Sequence, residues 1–504
     1  MAQPVEIPPR SARRQASRLR RAVLALAMTL TAFALAPIGA QARFDLGLQD
    51  TGFQLPPASP NAQAAYRALG AIHGSTVRLV LAWSAVAPGG ATRPKGLNAA
   101  DPADPQYNWS ATDLELRIAA QRHERVVLNI SYAPEWAQPP DRPASLKKFP
   151  APWNPSAAEF AQFARAAALR YDGRFADPLH PGAHLPRVQD WEIWNEENLP
   201  YDLAAPNLVE EYRSLLNAGY GSIKAVHADN VVAVGGLAPV SFAPPLSISP
   251  LKFAADLMCL RRVGATFVRN SSCPHPAHFD VLAMHPYTLA ATPTKHAYHY
   301  DDVLIGDIGK INSVVRAADT LHTIAPRSRH RIWVTEWSWF TNPPNKTVGD
   351  SYSTAARYTA YSMYEMWHSG VSLIIWFTAR DPQQTSRDSP NFVNGGALYS
   401  SAGRPKPTLQ AFAFPVVASV AHGRGFVWGR APVSQAVRVV VERASGRGWK
   451  QIANVRTGAD GIFLTRFQAG TNGRYRARVE HGPVSLAYDS TPIPPRRTHL
   501  FYSG

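Results

Sequence analysis

Only two of the 504 residues are cysteine, Cys259 and Cys273. Two thiols alone make a poor metal site, and no His/Cys cluster has zinc spacing, so no resident metal is expected, nor any organic cofactor. The chain also lacks any run of five or more Lys/Arg after its N-terminal segment. The formal net charge of +16 has the sign that nucleic acid or an acidic polysaccharide would meet, but it comes mostly from scattered arginines, which favours an ordinary solvated surface and argues against a nucleic-acid surface. The apolar run at 22–35 is shorter than the ~20 residues a spanning helix needs, so stable membrane insertion is not expected. What is present in quantity is apolar and aromatic side chain, 45% and 10% of residues, ample for a buried core.

Residues 1–42 read as a secretory signal. Arg10, Arg13, Arg14, Arg18, Arg20 and Arg21 precede the apolar run, and Ala40-Gln41-Ala42 supplies a small-x-small cleavage site. Its removal deletes six Arg and one Glu and leaves a net charge of about +11. An exported, extracytoplasmic chain makes a disulfide between Cys259 and Cys273 the default expectation.

After the signal, strand-like apolar runs fall at 44–48, 76–83, 125–132, 188–195, 230–234, 279–285, 331–336 and 372–377. Helical patterns at 157–170, 208–226 and 355–367 lie between them, and Ser59-Pro60 supplies an N-cap and first-turn proline for another helix. Alternation of this kind predicts parallel βαβ units closed into a (β/α)₈ TIM barrel over 43–420. Segments after strands are long and rich in Pro and aromatics (84–110, 133–155, 337–353, 378–407), whereas several before strands are two or three residues long. A barrel that builds its working face from strand-to-helix loops shows this asymmetry. From about 424 to 490 the pattern becomes period-two, with turns at Gly446-Arg447-Gly448, Asp460-Gly461 and Asn472-Gly473. It predicts a small C-terminal antiparallel β domain, sandwich-like, with the last two turns as hairpins, followed by a tail at 491–504. No exposed aromatic row is evident there, which favours a structural role over glycan binding.

Two strand-like runs end in carboxylates. Trp191-Glu192-Ile193-Trp194 stops at Asn195-Glu196-Glu197-Asn198, a cluster too costly to bury without partners or a task; Arg331-Ile332-Trp333-Val334-Thr335 stops at Glu336. In a barrel of parallel strands such ends converge on one face. Two carboxyl groups roughly 5 Å apart there would suit a retaining glycosidase, one protonating the glycosidic oxygen while the other attacks the sugar carbon. A lone strand-end glutamate is usually structural; a matched pair, one preceded by Asn, reverses that inference.

Trp194-Asn195-Glu196 together with Val334-Thr335-Glu336 resembles clan A of the retaining glycoside hydrolases, families 5 and 39 in particular, over roughly residues 44–415. The resemblance implies a carbohydrate substrate, Glu196 as acid/base, Glu336 as nucleophile, and Asn195 as a partner of the sugar 2-hydroxyl. By the same resemblance Arg78 holds the nucleophile ionised, His285 and Tyr287 stand beside it, and Trp376 carries the sugar ring. The chain departs from the pattern at Glu197, where the family usually has proline. An extra carboxylate would raise the acid's pKa by like-charge repulsion, and it leaves Glu197 as a rival for the acid/base role. Glu192, about 13 Å deeper at strand rise, reads as a buried structural partner. Trp136, Trp337 and Trp339 are candidates for subsite platforms or for packing. A carbohydrate-binding barrel without catalysis, or a transglycosylase, would share these residues.

Overall fold

Eight strand-forming runs between residues 45 and 377 are short, four to seven residues, and largely buried on both faces, so they need neighbours on every side. In the computed structural model, which describes residues 44–242, 246–264, 266–273, 275–382, 395–468 and 472–492, they find those neighbours by closing on themselves. Strands β1 (Asp45–Gln49), β2 (Thr76–Ala82), β3 (Arg125–Ser131), β4 (Asp190–Ile193), β5 (Val231–Val234), β6 (Val281–Met284), β7 (Arg331–Trp337) and β8 (Val371–Phe377) form a closed barrel in sequence order, parallel throughout. The expected signal segment at 1–42 lies outside the described residues, as does the tail beyond 492.

A helix follows each strand: α1 (Pro60–Ala71), α2 (Ser110–Gln121), α3 (Ala157–Arg170), α4 (Leu208–Val226), α5 (Pro250–Leu257), α6 (Ile308–Leu321), α7 (Tyr352–His368) and α8 (Pro407–Ala413). Ser59 caps α1 as its sequence promised, its hydroxyl accepting from the Ala62 amide at 3.2 Å, and Ser156 does the same for α3. Along the strands, alternate positions divide the chain between two cores. Val127, Ala233, Val281, Trp333, Leu373 and Ile375 fill the barrel, whereas Val77, Leu79, Leu128, Ile130 and Ile193 face the helices. The inward positions nearer the C-terminal strand ends are polar (Arg78, Asn129, Glu192, His285), and all four are at most 2% exposed. A polar layer that deep needs internal partners, which the site supplies.

Between α5 and β6 the chain inserts a hairpin of Leu260–Val263 and Thr266–Arg269 that sequence patterning did not mark. The Cys259–Cys273 disulfide closes its base, with Cα atoms 5.4 Å apart. No helix among the described residues is long and apolar enough to cross a membrane.

The C-terminal region forms two antiparallel sheets. One contains β9 (Val416–Ala421), β10 (Arg424–Arg430) and β13 (Ile462–Gln468); the other contains β11 (Arg438–Ser445), β12 (Gly448–Arg456), β14 (Arg474–Val479) and β15 (Tyr488–Asp489). They share one core of Val416, Ala418, Val427 and Phe463 against Val439, Val441, Tyr475 and Ala477, so this is a sandwich. The Gly446 turn joins paired strands, β11 and β12. The other two turn signals do not make hairpins: after Asp460-Gly461 the chain pairs with β10, and after Asn472-Gly473 it returns to β11. Turn chemistry bends the backbone locally, but the shared core selects the partner strand. The sandwich also rests on the barrel, where Trp428 of β10 packs on Tyr364 and Trp367 of α7 with centroids 5.4 Å from each.

Candidate active site

Glu196 and Glu336 reach one mouth because the backbone breaks the strict alternation of their strands. β4 ends at Ile193, and Trp194 (φ 72°) and Glu196 (φ 42°) follow in the left-handed region that non-glycine residues avoid. Strain of this kind persists only where packing over-determines it. Trp194 is fully buried, and its indole N–H donates to the Asp202 carbonyl at 2.8 Å. On β7 the ladder to β8 slips by one residue: between the register pairs Ile374–Val334 and Trp376–Trp337, β8 advances two residues and β7 three. Thr335 and Glu336 can therefore both face inward.

Arg78, from β2, is the hub. Its Nε donates to Glu192 Oε2 at 2.5 Å, Nη1 to Gln49 Oε1 at 2.6 Å, and Nη2 to Asn195 Oδ1 at 2.9 Å. Glu336 Oε2 lies 3.6 Å from Nη1, so the arginine's closest carboxylate is Glu192, with Glu336 second. Glu192 is the buried partner its depth in the strand implied. Its Oε2 also accepts from Asn129 Nδ2 at 3.0 Å.

On the opposite wall, His285 has Nδ1 3.0 Å from Glu196 Oε1 and Nε2 3.2 Å from Thr335 Oγ1, and the Tyr287 hydroxyl donates to Glu336 Oε1 at 2.9 Å. Gly236 (φ 77°) makes this approach possible: a Cβ there would lie 2.2 Å from His285 Nε2. Arg78, Asn195, His285, Tyr287, Glu196 and Glu336 thus form one constellation. Trp376 does not join it. It is fully buried on the outward face of β8, against Phe412 at 4.9 Å and Trp337 at 5.1 Å, with its indole N–H on the Gly396 carbonyl. The inward series Leu373, Ile375 continues to Phe377, which is part-exposed at the strand end. Trp136, Trp337 and Trp339 are 8%, 0% and 2% exposed, so packing is what they do.

Environment sorts the carboxyl groups. Burial pushes Glu196 up to about 7 against the pull of Arg78. Burial raises Glu336 as well, opposed by Arg78 and the Tyr287 hydroxyl. Burial drives His285 down to about 4, so its imidazole is neutral at neutral pH. Glu197 has no exposed surface at all and lies against Gly235, where a Cβ would meet its Oε2 at 2.4 Å. It turns away from the mouth that Glu196 enters, and burial followed by repulsion from Glu192 raises its pKa well above 4.5.

A carboxyl whose pKa is raised in the fold above its unfolded value costs stability as pH rises above that unfolded value. Glu197→Gln is therefore expected to raise the melting temperature by about 2 °C at pH 8 and to leave it unchanged at pH 4. Thermal melts at the two pH values check this; a variant less stable at pH 8 would contradict a raised Glu197 pKa.

Sequence reasoning missed three residues here. Asp202, on the loop after β4, accepts from Asn195 Nδ2 at 3.1 Å and from the Tyr132 hydroxyl at 3.3 Å. Gln49 completes the bonding of Arg78. No local pattern marks a lone loop aspartate or tyrosine. The alternation of β1 could have placed Gln49 inward beside Gly47.

No family model matches the chain, and no curated protein does. Solved structures with a similar course include a family 39 glycoside hydrolase from the gut symbiont Bacteroides cellulosilyticus WH2, 17% identical over 84% of this chain and 80% of that one, TM-score 0.49. A glucosidase from Croceicoccus marinus is 13% identical over 86% and 94%, TM-score 0.49. The GH39 enzyme from Xanthomonas axonopodis pv. citri is 16% identical over 87% and 94%, also at 0.49.

Proposed function

We propose that this protein is a retaining O-glycoside hydrolase acting on an oligo- or polysaccharide. The observation that carries the reading is the unlike treatment of two carboxyl groups at one barrel mouth. Burial raises both, but Glu336 has a cation at 3.6 Å and a hydroxyl donor at 2.9 Å that pull its pKa back down, whereas Glu196 touches a neutral imidazole and keeps its proton to about pH 7. In the first step Glu196 gives its proton to the glycosidic oxygen as the C–O bond breaks, and Glu336 forms an ester to the anomeric carbon. In the second, Glu196 takes a proton from water, whose oxygen attacks that carbon and releases Glu336.

Three exposed aromatics support a carbohydrate ligand: Tyr201, Phe242 and Tyr298 are 50%, 61% and 95% exposed and lie on the loops after β4, β5 and β6. Such rings offer faces on which pyranoses stack. The signal-like N-terminus, together with the disulfide, supports an extracytoplasmic site of action.

A panel of aryl glycosides and polysaccharides, with a Glu336 variant as blank, tests the activity. The product should keep the anomeric configuration of the substrate when followed by NMR from the first turnover; inversion would exclude the mechanism.

Phe377 takes the platform role that Trp376 cannot fill from its buried position. Phe377→Ala is expected to lower kcat/KM by about tenfold with little change in stability. Trp376→Ala should instead destabilise the fold by about 3–5 kcal/mol through the cavity it leaves. Paired kinetic and melting measurements separate the two; equal kinetic losses without a melting difference would return the platform to Trp376.

A further inference from the structure

We propose that Asp202 is a positioning residue that fixes which edge of the Asn195 amide faces the ligand, and so aligns the sugar against Glu196 and Glu336. The inference rests on the glycosidase reading above and adds a residue to it.

An asparagine amide has an accepting edge and a donating edge, and its function depends on which one meets the substrate. Asn195 stands between two neighbours of opposite character. Arg78 Nη2 donates to its Oδ1 at 2.9 Å, and its Nδ2 donates to Asp202 Oδ1 at 3.1 Å. Turned over, the amide would set N–H against guanidinium N–H and its oxygen against the accepting Oδ1 of Asp202, so both contacts would be lost. One orientation survives, with one Nδ2 hydrogen on Asp202 and the second left to donate to a sugar hydroxyl.

The frame around this amide is built to stay put. Glu192 and Gln49 hold Arg78. The indole of fully buried Trp194 ties the Asp202 carbonyl at 2.8 Å, and the Tyr132 hydroxyl donates to the same Oδ1 that Asn195 uses. Tyr132 itself sits in the left-handed region (φ 61°) at the end of β3. Burial, then the nearby Glu196 charge, raises Asp202 to about 7, so its charge is linked to that of the acid.

The test compares Asp202→Ala with Asp202→Asn on an aryl glycoside that the wild-type protein hydrolyses, with Glu336→Ala as control. Losing the acceptor frees the amide, and Asp202→Ala is expected to lower kcat by about 10- to 100-fold with a smaller change in KM. An asparagine oxygen still accepts from Tyr132 and Asn195, so Asp202→Asn recovers most of that loss below pH 6. With a neighbouring negative charge removed, the basic limb of its kcat/KM profile moves to lower pH. A crystal structure of Asp202→Ala should show the Asn195 side chain displaced from Arg78. Wild-type kcat in Asp202→Ala, an Asp202→Asn as impaired as the alanine, or an unmoved Asn195 would each overturn the proposal. If Glu336→Ala also retains activity, the glycosidase reading fails; if it alone is dead, only the role of Asp202 does.

Discussion

Glu336→Ala is expected to reduce turnover on the order of 10⁵-fold, to the level of a blank, because the proposed mechanism needs Glu196 as proton donor and leaves Glu336 to form the bond to the anomeric carbon. The side chain is 16% exposed and rests among Arg78, Tyr287 and His285, none of which is both anionic and free to attack. Its neighbours are what make the loss specific. Removing the carboxylate leaves Arg78 still paired with Glu192 at 2.5 Å, so the hub and the fold should persist. An unchanged melting temperature with lost turnover fits the nucleophile role; activity within tenfold of wild type would end it.

Glu196→Gln should cost about 10²- to 10⁴-fold, and the cost should depend on the leaving group. A phenol with low pKa departs without a proton, so activated aryl glycosides should suffer least and alkyl glycosides or natural glycans most. The pH profile gives a second measurement. Wild-type kcat/KM should fall as pH rises through about 7, where Glu196 loses its proton, and fall again at low pH as Glu336 gains one. The glutamine variant should lose the upper limb and keep the lower. A variant whose upper limb stayed near pH 7 would shift the acid role to Asp202, which titrates in the same range.

The barrel was legible because its strands are short apolar runs that alternate with helical patterns, and because long segments follow several of them while short ones precede. The two acids were legible for a related reason: an apolar run that ends in Glu has little choice about where the charge goes. What could not be read was direction. Trp376 and Phe377 are adjacent, and only the course of β8 shows that the tryptophan faces the helices while the phenylalanine continues the inward series. Glu196 and Glu197 are adjacent too, and two left-handed residues, invisible in composition, send one to the site and the other into the core. Asp202 and Tyr132 lie on loops whose paths depend on tertiary packing. The turn signals at Asp460-Gly461 and Asn472-Gly473 were real as bends, but pairing is a long-range matter that two residues do not encode.

Arg78 gathers Gln49, Glu192, Asn195 and Glu336, side chains separated by almost three hundred positions along the polypeptide. During synthesis the guanidinium emerges early, and its last anionic neighbour arrives only when most of the chain has been made. A nascent or prematurely terminated product lacking residue 336 therefore leaves the Arg78 hub one anionic neighbour short. The same arrangement ties the seventh strand to the first, second and fourth before the eighth, which closes the ring, has been made.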